Sequence, residues 1–70
     1  SKLAISDVGV GVIDAKAALM GASLNVFINT KSMEDRELAE KLEAEADKML
    51  STYTAKADAV YGNVLAQLRG

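Results

Sequence analysis

The sequence predicts an all-α protein: a two-helix antiparallel hairpin with a longer C-terminal helix, assembling into a helical filament or bundle. Three observations carry this. The 70 residues contain no Pro, so nothing breaks a helix by that route. Half of the chain is apolar but only 4% is aromatic, so small residues, Ala above all, supply the hydrophobicity. That composition suits closely spaced helices. Finally, Leu38 to Leu68 repeats in steps of eleven. Leu38, Met49 and Val60 share one register, and Ala39, Leu50 and Tyr61 the next. Leu42, Tyr53 and Val64 form a third, and Ala46, Ala57 and Leu68 a fourth. Eleven residues over three turns is about 3.67 per turn, so the stripe runs almost straight along one long helix.

In chain order, residues 1–5 read as a frayed start and Ser6-Asp7 as the N-cap of a first helix over about 6–29. Val8-Gly9-Val10-Gly11-Val12 alternates as a short strand would, but helix is favoured. The reason is that Gly11, Ala15, Ala18 and Ala22 recur at spacings of four, three and four, a smooth ridge that lets another backbone approach closely. Asn29-Thr30-Lys31-Ser32 is polar punctuation, giving a loop at 30–32 with Ser32 as the next N-cap and Asp35 at N3. So short a connection implies antiparallel neighbours. The second helix then runs over about 33–69, supported by Glu37–Lys41, Arg36–Glu40 and Lys41–Glu45 at i,i+4. On these bounds the helices measure roughly 36 and 55 Å. The excess would leave Val60, Tyr61, Val64, Leu65 and Leu68 as an uncovered apolar overhang.

At this length a single-chain core is marginal without disulfides, metal or oligomerisation. Cys and His are both absent, which leaves self-association. The expected subunit interface joins the ridge Gly11, Ala15, Ala18 and Ala22 to the stripe Leu38, Leu42, Met49, Tyr53, Val60, Tyr61, Val64, Leu65 and Leu68. The expected partner is another copy of the chain, or other subunits of the same assembly. No basic cluster marks a nucleic-acid footprint. Asp14 and Lys16 interrupt the best apolar run, so no membrane span is expected. Ser1-Lys2-Leu3 lacks the pattern of a signal peptide.

No catalytic, cofactor or metal site is expected, and no enzyme. Glu40, Glu43, Glu45 and Asp47 are spread around a helix among Lys and Ala, as on a solvated face. Gly9-Val10-Gly11 lacks the third Gly and the Lys-Ser/Thr of a phosphate loop. Ser51, Thr52 and Thr54 have no His or Cys to activate them.

Three stretches also carry a family resemblance. Glu34-Asp35-Arg36-Glu37-Leu38-Ala39, Leu50-Ser51-Thr52-Tyr53-Thr54 and Val64-Leu65-Ala66-Gln67-Leu68-Arg69-Gly70 resemble the C-terminal helix of needle and inner-rod subunits of bacterial type III secretion systems. The resemblance covers residues 33–70 and leaves the Gly-rich first helix unmatched. It implies a structural subunit made in the cytoplasm, exported to the cell surface and polymerised helically around a channel. The alternative is a small homodimeric four-helix bundle serving as a binding or regulatory module.

Overall fold

A computed structural model describes residues 1–70 as two helices, α1 over Lys2–Lys31 and α2 over Arg36–Arg69, packed side by side in a rod of 52 × 15 × 12 Å. The all-helical hairpin follows the periodicity and the absence of Pro. Val8 to Val12 is helical, so the small-residue pattern outweighs the local alternation.

The ends of the helices differ from the expected ones. Ser1, not Ser6 or Asp7, caps α1: its Oγ accepts from the Ala4 amide at 3.3 Å. Nothing between Lys2 and Asp7 opposes helix, so the first available cap is used. Ser32 closes α1 instead of opening α2. It sits at φ −96°, ψ 0°, its amide donating back to the Asn29 and Thr30 carbonyls, whereas an N-cap needs extended backbone. Asp35 has that geometry at φ −73°, ψ 92°, and its carboxylate accepts from the Leu38 amide at 3.0 Å.

Arg36 fastens the turn. Its Nη1 donates to the Thr30 carbonyl at 2.7 Å and the Met33 carbonyl at 3.1 Å, placing a cation at the negative end of α1. The side chain is thereby drawn away from the expected pairing with Glu40; its only carboxylate neighbour is Glu43, at 4.0 Å.

The overhang is also corrected. With 30 residues against 34, the helices differ in length by only about 6 Å. Val64 is buried and Leu68 half-buried, both within reach of the start of α1. At that end Gly9 makes the contact possible: a Cβ there would lie 2.9 Å from Val64 Cγ1.

The seam between the helices is lined by small residues. Ala39 is fully buried near the turn and Thr30 is 2% exposed. Ser23, Ala46 and Ala57 continue the seam toward Gly9 and Val64. The hydroxyls of Ser23 and Thr30 donate to the Met20 and Phe27 carbonyls of their own helix, so their burial leaves no orphan donor. The buried apolar core consists of Ala39 and Val64 alone.

Candidate functional site

The hairpin has three surfaces on which function could be built. The first is a groove along one flank, where the helices meet imperfectly. Val12, Ala15 and Leu19 of α1 form one wall and Met49, Tyr53 and Ala57 of α2 the other, around about 420 Å³. At its edge Lys16 Nζ donates to Asp58 Oδ1 at 2.6 Å, a cross-helix ion pair with both side chains partly exposed. This pair divides the groove from a smaller hollow lined by Val12, Ile13, Ala57 and Tyr61. Lys56 Nζ lies 5.2 Å from the centre of the Tyr53 ring, within cation–π range. A third hollow, between Leu19, Ala22 and Val26 and Ala46, Met49 and Leu50, extends the same flank toward the turn.

The expected interface residues divide among distinct places. Ala15, Ala22, Met49 and Tyr53 come together along this flank, as ridge and stripe. Tyr61 lines the smaller hollow. Gly11 and Ala18 are exposed on α1, and nothing lies within 4 Å of where a Gly11 Cβ would stand. Leu38, Leu42, Val60 and Leu65 are exposed along α2. Val64 packs against Gly9 of α1 and serves the hairpin itself, and Leu68 is half-buried. Gly9, rather than Gly11, is the close-approach glycine of the seam. Its signal in the sequence is the spacing Gly9, Ser23, Thr30, small or hydroxylated residues fourteen and seven apart that share a face.

The second surface is the outer face of α1, turned away from α2. Leu3, Val10 and Leu24 stand there at multiples of seven residues, with Ile28 one turn further on. They are 80, 57, 64 and 68% exposed. One exposed apolar side chain is ordinary, but a line of them along one helix face marks an interaction surface. Asp7 and Asp14 flank this line, exposed and without an ion-pair or hydrogen-bond partner. The third surface, the outer side of α2, is a solvated face carrying Glu37, Glu40, Lys41, Glu45 and Lys48. Nowhere do three or more Asp or Glu side chains converge in a way that could hold a metal ion. Neither helix is long and apolar enough to cross a membrane.

Comparison with known proteins places the chain. The family model described as formiminotransferase-cyclodeaminase matches residues 1–48, and the chain belongs to that family. Over 64 residues it is 38% identical to a methenyltetrahydrofolate cyclohydrolase of Methylorubrum extorquens. The alignment takes in 91% of this chain but 31% of the relative, so the chain spans about a third of that protein's length. No solved structure is significantly similar.

These matches overturn the secretion-subunit resemblance, and with it the filament function, the protein-transport role and the expectation of a non-enzyme. The physical reason lies in what each comparison weighs. A straight apolar stripe on a long helix, with Leu, Tyr and Ala at its registers, is a packing pattern that unrelated helical proteins share. The family match instead covers α1, the turn and the first part of α2, including the Gly-rich helix that the resemblance left unmatched. The chain carries neither His nor Cys, the residue types by which a catalytic site is most readily recognised in a sequence.

Proposed function

We propose that this hairpin is a helical part of a folate-acting enzyme of the methenyltetrahydrofolate cyclohydrolase kind, completed into a bundle by helices beyond those described. The observation that carries the reading is the character of α1. Across thirty residues its charged side chains are Lys2, Asp7, Asp14, Lys16 and Lys31, and large apolar groups point both toward α2 and away from it. A helix with large apolar groups on opposite sides belongs in the interior of a larger fold. The relative, about three times as long as the matched segment, is of a size to supply the surroundings. By this reading the hairpin shapes and supports an active centre, and the charged outer side of α2 is what remains in water.

A graft tests this. The matched segment of the Methylorubrum extorquens protein is replaced by this chain, and hydrolysis of methenyltetrahydrofolate is followed by the loss of its absorbance. Activity within about tenfold of the parent supports the reading. A chimera that is folded by circular dichroism and thermal melting but inactive overturns it.

A further inference from the structure

We infer that the outer face of α1 is the docking surface for a second apolar helix that carries Lys or Arg beside its apolar line, and that this helix belongs to the two thirds of the family fold that the chain does not span. The inference rests on the proposed function for the origin of the partner and on the geometry of α1 for its chemistry. Leu3, Val10 and Leu24 repeat at multiples of seven, with Met20 and Ile28 broadening the line. All five are large, apolar and exposed. This is the spacing by which one helix meshes with another along its length. A globular or loop partner would not need the seven-residue regularity.

Charge decides between a different helix and a second copy. Asp7 and Asp14 each follow a residue of the line by four, Leu3 and Val10, and so stand one turn along beside it. Neither has a cation within the hairpin. Of the Lys residues of α1, Lys2 and Lys31 lie at its two ends and Lys16 is engaged with Asp58. Closing this face on an antiparallel copy, with Leu3 against Ile28, brings the two Asp14 carboxylates together near the middle. A parallel copy puts Asp7 and Asp14 on opposite sides of the seam from their counterparts and offers a cation, the copy's Lys2, to Asp7 alone. The antiparallel arrangement desolvates like charges, and neither arrangement neutralises Asp14. A helix bearing Lys or Arg at the facing positions instead neutralises both carboxylates as it covers the apolar line. The relative's length leaves ample chain for such a helix.

The test uses the 70-residue chain and two synthetic helical peptides about three heptads long. Both carry Leu and Ile along one line; one has Lys beside that line and the other Glu. Fluorescence anisotropy at low salt should show the Lys peptide binding roughly tenfold tighter than the Glu peptide, with the gap closing near 1 M salt. Leu24→Asp should abolish binding, and Asp7→Asn with Asp14→Asn should erase the preference while the hairpin stays helical. Equal binding of the two peptides, or binding indifferent to Leu24→Asp, overturns the inference. So does a chain that sediments as a dimer dissolved by Leu24→Asp, since a second copy would then occupy the face. Peptide binding needs no catalysis, so an inactive graft combined with selective binding would remove the proposed function and leave the docking surface standing.

Discussion

The two helices are nearly equal in length and very different in character. α2 has charged residues on its outer side and small or apolar ones toward α1, with Leu38, Leu42, Val60 and Leu65 also exposed along it at 36–44%. α1 has no such division. Gly9, Ser23 and Thr30 face its neighbour, Gly11, Ala15, Ala18 and Ala22 form a smooth second side, and Leu3, Val10, Leu24 and Ile28 stand exposed on a third. The side packed against α2 has small or hydroxylated residues at its buried points, with Val12, Leu19 and Val26 half-buried beside them, while Leu3, Val10, Leu24 and Ile28 are turned outward. The difference teaches that hairpin formation uses α1 only in part and leaves the rest of its apolar surface exposed.

The sharpest way to break this contrast is to place the same charge on the two sides of the seam. Val64→Asp would set a carboxylate against Gly9 in a buried position with no cation supplied, costing about 3 kcal/mol or more, enough to open a hairpin with so small a core. Val10→Asp, on the outer face, should change the stability of the isolated chain by no more than about 0.5 kcal/mol. Circular dichroism against temperature measures both. Equal losses would mean that α1 has no inner and outer side. In the grafted enzyme, where the outer face is expected to be covered, Val10→Asp should become damaging.

The glycines sharpen the comparison at a smaller scale. Gly11→Ala and Gly21→Ala should each stabilise the helix by about 1 kcal/mol, because nothing lies within 4 Å of the added Cβ. Gly9→Ala gains the same propensity but must push Val64 aside from 2.9 Å, so it should fall clearly short of that gain or reverse it. Urea midpoints of the three variants decide it. If Gly9→Ala stabilises as much as Gly11→Ala, the close approach at Val64 is not a constraint.

The smallest effect is expected at the ion pair. Lys16→Met should cost under about 1 kcal/mol at low salt and almost nothing at high salt, since both partners are partly in water. A loss that persists in high salt would show that the Lys16 stem, as part of the groove wall, matters through packing.

Much of the fold was legible because helical periodicity is a local property. The eleven-residue registers, the polar interruption near Asn29 and the absence of Pro were enough to give two helices and a short turn. The caps were less legible. Ser1, Ser6, Ser32 and Asp35 are all capable residues, and the choice among them depends on backbone geometry and on Arg36 reaching the Thr30 carbonyl. The flank groove is legible in part: Ala15, Ala22, Met49 and Tyr53 fall among the residues expected at a subunit interface, but Lys16 and Asp58 do not. Their pairing spans 42 positions and exists only because the helices lie antiparallel in one register.

By itself the sequence determined the helices, the turn between them and the excess of apolar surface over what two helices can hide. Each of these follows from residue type and spacing along one segment. Tertiary structure alone decided which glycine lets the helices touch, which apolar line stays outside and where Lys16 finds its partner. Those outcomes depend on the rotation and offset of one helix against the other, fixed by the fit of Gly9 to Val64 at one end and by Ala39, Thr30 and Arg36 at the turn.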